Sequence, residues 1–136
     1  MTVSFFDTKI FLYAASNAAG DSAKKQIASE LIRATPCAIS AQVMQEFIAN
    51  ALRKQSLGLN EWDIGVFLEF TSGLTVVPIT AGLVATACQL RLRHRISHWD
   101  ATILAAALHL GCKTLHSEDL NHGQIYDGVE VINPFQ

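Results

Sequence analysis

The chain of 136 residues predicts a doubly wound α/β fold, with one parallel sheet and helices on both faces. Three observations predict it. Short apolar runs alternate with capped, amphipathic helical stretches along the whole chain. The apolar runs are continuous rather than alternating, as in strands covered on both faces. Acids stand where such runs end or where helices begin, which is the edge of an open sheet where ligands bind.

Residues 3–6 form the first apolar run, a buried strand closing at Asp7-Thr8. Residues 10–15 are apolar again and begin a helix, and 17–20 form a loop. Asp21 or Ser22 caps a helix with Ile27, Leu31 and Ile32 on one face. Thr35-Pro36 ends it, and 37–39 is the second strand. Ser40 caps a helix to about residue 54 that buries Val43, Phe47 and either Ile48 or Ala51, with Glu46 bordering the stripe. After a loop containing Gly58, Asn60 caps a helix to residue 70, rich in Trp62, Ile64, Phe67 and Leu68. The third strand, 74–77, is closed by Pro78. Thr80 caps a helix to about residue 93 with Leu83, Val84, Ala87 and Leu90 inward.

Ser97 caps the next helix, and Asp100 stands three residues on, where a carboxylate can return to the cap amide. Ile103, Leu104, Ala107 and Leu108 recur at helical spacing, and Gly111 stops the helix. Residues 113–116 form the fourth strand, followed at once by Ser117-Glu118-Asp119. Residues 129–132 form the last strand before Asn133-Pro134. There is no internal repeat, low-complexity segment or linker, so a single domain over 1–136 is expected.

Half of the residues are hydrophobic, enough for one sizeable core. A net charge of -2 excludes the global basic field of many nucleic-acid binders, so contact with an anion has to be local or metal-mediated. Cys37, Cys88 and Cys112 are odd in number, far apart and set in apolar segments, which suggests buried thiols in a reducing compartment. With no signal-peptide pattern and no long uncharged apolar run, a soluble cytoplasmic protein without membrane association is expected.

Asp7 ends the first strand and Asp119 follows the fourth. Asp100 lies in the first turn of a helix that returns antiparallel to the strands, and Glu46 in the second turn of the helix leaving the second strand. All four are therefore expected at one edge of the sheet. Carboxylates packed together repel unless neutralised, and a hard divalent cation, Mg²⁺ or Mn²⁺, does this through oxygen ligands. Such an ion also lowers the pKa of a bound water and stabilises charge on a scissile phosphate. No Cys/His set has zinc spacing. Each acid has a plainer reading beside this one: Asp100 as a capping-box residue, Asp119 as a turn residue, Glu46 as a solvated helix edge. Asp7 resists such a reading, because an acid closing a buried apolar strand is costly without a partner.

The segments FFDTKIFLYA, SAQVMQEFIAN, ISHWDATILAAALHLGC and TLHSEDLNHGQIYDGVEVINPF together resemble the PIN-domain family, and within it the VapC-type toxins of bacterial toxin–antitoxin pairs. The resemblance covers nearly the whole chain and maps the family's four acids onto Asp7, Glu46, Asp100 and Asp119. It implies a three-layer fold whose parallel five-stranded sheet, in order 3-2-1-4-5, is flanked by helices. It implies Mg²⁺- or Mn²⁺-dependent cleavage of RNA by the four acids as catalytic metal ligands, a small VapB-like antitoxin as inhibitor, and a homodimer. Ser117, and by analogy Thr8, are implied to assist through their hydroxyls.

Lys9 stands where the family usually has Asn, two residues after the first acid. Its ammonium can weaken metal binding, take the place of a second ion, or swing out to a phosphate. An alternative to the nuclease is therefore a PIN-like module that holds RNA or an antitoxin without cleaving. A haloacid-dehalogenase-like phosphatase or a receiver domain would carry paired acids after the first strand, which this chain lacks. Arg91, Arg93, His94 and Arg95 form a basic run before Asp100. Arg93 and Arg95 are candidates for contact with an RNA backbone, against the alternative of a solvated helix end. His98, His116 and His122 are expected near the same edge as structural or solvent-facing groups, and Trp62 and Trp99 as core or interface residues, with stacking on a base as the alternative for Trp99.

Overall fold

The computed structural model describes residues 3–136. The chain runs β1 (Ser4–Phe6), α1 (Thr8–Ala15), α2 (Ser22–Ala34), β2 (Cys37–Ser40), α3 (Ala41–Arg53), α4 (Glu61–Thr71), β3 (Thr75–Val77), α5 (Ala81–His94), α6 (His98–His109), β4 (Thr114–His116), β5 (Ile125–Tyr126) and β6 (Val129–Ile132). One sheet has the order β3-β2-β1-β4-β6-β5. All its pairings are parallel except β5 with β6. The expected order 3-2-1-4-5 corresponds to the five parallel strands, with β6 as the expected fifth.

The sixth strand is an addition the sequence pattern did not predict. It is two residues long and is created by a tight turn at Asp127-Gly128, both with positive φ (50° and 91°). Two residues show no periodicity, so only this turn chemistry could have announced the strand.

The helix starts follow the caps. Ser40, Thr80 and Ser97 each accept a bond from the backbone N–H three residues on. Asn60 and Asp63 form a reciprocal capping box. At α6 the expected box is only half made: Ser97 Oγ accepts from Asp100 N–H at 3.1 Å, while the Asp100 carboxylate faces other acids. Gly111, at φ 71°, ends α6 as expected, with Cys112 N–H bonding back to Ala107 O.

The core lies on both faces of the sheet, built from Phe5, Phe6, Ile39, Leu115 and Val131 with the inner faces of α1, α3 and α6. The middle of α6 is buried without a break from Ala101 to Ala107, and its alanines admit close neighbours. Ala51 rather than Ile48 completes the buried stripe of α3. Other inward assignments are corrected. On α2 only Ala28 is buried, and Ile27 is exposed. Val84, and Trp62 against its reading as core, also face solvent, because α4 and α5 bury narrow stripes. Cys37 and Cys112 are buried free thiols, but Cys88 is exposed. Among the described residues no helix is long and apolar enough to cross a membrane.

Candidate metal centre

The chain leaves β1 to build β2 and β3 on one side, then returns to place β4 and β6 on the other. The switch point therefore lies between β1 and β4, which pair through Phe5↔Leu115 and Phe6↔His116. Asp7 and Ser117 are the residues immediately beyond these strands, so the topology delivers them side by side. A cleft of about 90 Å³ opens there, lined by Asp7, Thr8, Lys9, Glu46, Asp100 and Asp119 among others.

Asp7 caps α1 and is 4 % exposed. Its Oδ1 accepts from Thr8 N–H at 2.7 Å, and its Oδ2 accepts from the Ser117 hydroxyl at 2.8 Å. Burial pushes its pKa up to about 7, against the pull of those two bonds, with the charges of Asp119 and Glu46 adding to the rise. Ser117 Oγ also accepts from Asp119 N–H at 3.1 Å, so one hydroxyl ties the first acid to the loop carrying the last. Thr8 Oγ1 donates to Glu46 Oε1 at 2.8 Å and orients that carboxylate from the next residue along. Burial also raises the Asp100 carboxyl, partly countered by Ser97 and reinforced by Asp119.

One carboxylate oxygen each from Asp7, Asp100 and Asp119 lies within 4.8 Å of the others. Glu46 lines the same cleft outside this tight triad. All-oxygen donors, one of them buried and reluctant to ionise alone, match a hard divalent cation and no softer metal.

Lys9 meets this cluster directly. Its Nζ lies 2.6 Å from Asp119 Oδ1 and 3.7 Å from Glu118 Oε1. Partial burial works against the ammonium, but the bond and attraction of Asp119 outweigh it and raise its pKa. Glu118, one residue from Asp119, is committed elsewhere: it accepts from Lys24 Nζ at 2.6 Å and from Tyr13 OH at 2.8 Å. Burial opposes its ionisation, yet these donors hold its carboxyl below the usual range.

The basic run sits apart from the acids. Arg93 and His94 both engage Asp127 of the β5–β6 turn, and Arg95 closes α5 with a left-handed backbone. Neither Arg93 nor Arg95 lines the cleft. His116 is buried edge-on against Phe6, and burial lowers its pKa; His122 Nδ1 accepts from Asn133 N–H. Gln42 and Asn50 from α3, and Lys54 at its C-cap, line the cleft without having been singled out as part of it, and Trp99 from α6 lines it too. Trp99 is 64 % exposed, and its carbonyl accepts from Gln42 Nε2 at 3.1 Å. For α3 the signal was available: Gln42, Glu46, Asn50 and Lys54 recur every four residues along one helical face.

A mostly parallel sheet with an acidic cluster at its switch point defines the class, an open α/β domain with an acidic candidate site. The match is specific: residues 4–128 fit the PIN domain family model, and the chain belongs to that family. Similar solved structures share the fold. A chain of a toxin–antitoxin complex from Klebsiella pneumoniae is 20 % identical with TM-score 0.71, covering 96 % of this chain and 97 % of that one. VapC20 of Mycobacterium tuberculosis, a sarcin–ricin loop cleaving toxin, is 21 % identical with TM-score 0.68, covering 85 % and 89 %. VapBC-1 from nontypeable Haemophilus influenzae is 18 % identical with TM-score 0.67, covering 98 % and 99 %. No curated protein sequence matches the chain.

Proposed function

We propose that the chain is a cytoplasmic, metal-dependent endoribonuclease of the VapC toxin type, one domain of 136 residues, that dimerises and is restrained by a small VapB-like antitoxin. The observation that carries the reading is the triad of carboxylate oxygens from Asp7, Asp100 and Asp119 within 4.8 Å at the switch point. Membership of the PIN family supports nuclease chemistry. Fold relatives solved as toxin–antitoxin complexes, one of them a cleaver of the sarcin–ricin loop, support RNA and an antitoxin as partners. An apolar groove of about 310 Å³ between α1, α3 and α4, flanked by the exposed Val66 and Phe70, is a surface of the kind a partner covers.

Asp7, Asp100 and Asp119 would hold Mg²⁺ or Mn²⁺, with Glu46 beside them. Bound there, such an ion supplies positive charge at a scissile phosphate and activates water for its attack. The protein's own part is positioning. Ser117 fixes Asp7 and Asp119 relative to each other, and Thr8 fixes Glu46. Lys54 and the exposed Trp99 at the rim offer a cation to a phosphate and a ring to a base.

Incubation of structured RNA with the purified chain in Mn²⁺, in EDTA, and with the Asp7→Asn and Asp100→Asn variants tests this. Cleavage confined to wild type in Mn²⁺ is expected; intact RNA in every sample, with no Mn²⁺ binding, sinks it. The Lys9–Asp119 contact at 2.6 Å favours a second reading, a non-cleaving binder of RNA or antitoxin. Cleavage by Lys9→Asn but not by wild type would establish that one.

A further inference from the structure

Four carboxylates and two ammonium groups line the cleft. The ammonium in contact with an acid there is that of Lys9, on the first turn of α1, two residues after the acid that caps the same helix. Of the two acids near its Nζ, Glu118 is already paired with Lys24 at 2.6 Å. The charge of Lys9 is therefore directed at Asp119, in a contact that takes one of that carboxylate's acceptor positions.

We propose that Lys9 Nζ occupies the place of a second cation, so that the cleft takes a single divalent ion. The inference rests on the metal-dependent reading above and sets its stoichiometry. The balance of charge argues for it. When ionised, Asp7, Glu46, Asp100 and Asp119 carry four negative charges, which one divalent ion with the ammonium groups of Lys9 and Lys54 balances. A second divalent ion would leave the cleft net positive before any substrate entered. It would also have to share Asp119 with the first ion as well as with an ammonium already in hydrogen-bond contact. Like charges brought together around a partly buried carboxylate repel strongly. A side chain tethered to the helix carries no translational cost of binding, which favours it against a free ion for the same oxygen.

Mn²⁺ titration of the full chain, followed by calorimetry and by electron paramagnetic resonance of the free ion, reads the stoichiometry without reference to activity. Wild type is expected to bind one Mn²⁺ per chain. Lys9→Asn, and Lys9→Met, which retains an unbranched side chain, are expected to gain a second site at least tenfold weaker than the first, with circular dichroism confirming their fold. Two ions in wild type, or one in both folded variants, overturns the inference; if neither variant folds, the wild-type count alone decides. Two ions bound by a wild type that cleaves RNA overturns the inference alone. No Mn²⁺ bound by any of the three overturns it together with the metal-nuclease reading.

Discussion

Asp7 is an acid almost sealed from water, and its carboxyl is pushed up to about 7 by that burial. In the unfolded chain it would ionise near 3.8. Between those values the folded state holds a proton that the unfolded state has lost, so stability falls as pH rises through this window. A shift of this size corresponds to at most about 4 kcal/mol. The metal-free wild type is expected to lose stability, relative to Asp7→Asn, on going from pH 5 to pH 8, as melting of the two proteins side by side would show. Equal slopes would mean that Asp7 is ionised throughout. Mn²⁺ added at pH 8 should restore the deficit in wild type and do little for the variant. Ser117→Ala removes the hydroxyl that serves both Asp7 and Asp119, and is expected to cost about 1–2 kcal/mol of stability. Cleavage should fall at least tenfold, since two acids lose their mutual alignment. At this scale the acids were legible because each follows an apolar strand or opens a capped helix. The partners of Glu118 were not: Tyr13 and Lys24 lie 105 and 94 residues away along the chain, and no local pattern joins them.

The elements that hold these residues were legible wherever one face or both were buried. Each parallel strand was an apolar run, and Ser40, Asn60, Thr80 and Ser97 marked where α3, α4, α5 and α6 begin. Surface helices misled. Ile27 and Trp62 read as inward by type, yet α2 and α4 turn them outward and bury Ala28, and Ile64, Phe67 and Thr71, instead. Hydrophobicity records what a side chain would gain by burial, not whether a neighbouring element arrives to bury it. The helix with the least room is α6, where Ala101, Ala105, Ala106 and Ala107 are at most 1 % exposed. Leucine at position 106 would have to displace packed neighbours, so Ala106→Leu is expected to cost about 1–3 kcal/mol. The same helix carries Asp100 in its first turn. A shift of its axis should therefore weaken Mn²⁺ binding as well as lower the melting temperature. Lowered stability with unchanged Mn²⁺ affinity would show that the strain is absorbed by α5 instead.

Taken whole, the molecule is slightly acidic, at net -2, and its most concentrated charge is a negative cleft. An RNA cannot approach such a cleft through a broad basic surface. Arg93 and His94 are engaged by Asp127, and Lys9 and Lys24 by Asp119 and Glu118. The positive charge available at the cleft rim is that of Lys54, joined by whatever divalent ion the acids hold. Binding should then depend on the metal far more than on counterion release. Few phosphates are neutralised by side chains, so the slope of log affinity against log salt is expected to be shallow. For a single strand it should be roughly −1 to −2, against about −5 for a protein making seven phosphate contacts. Fluorescence anisotropy with Asp100→Asn would give this slope if that variant still holds Mn²⁺ through Asp7 and Asp119; otherwise wild type with a non-cleavable RNA analogue serves. EDTA should abolish binding in either protein, and Lys54→Ala should weaken it several-fold without changing the Mn²⁺ count. A steep slope that survives EDTA would place the RNA on a basic surface away from these acids, and Arg91 and Arg95 at the end of α5 would then become the residues to substitute.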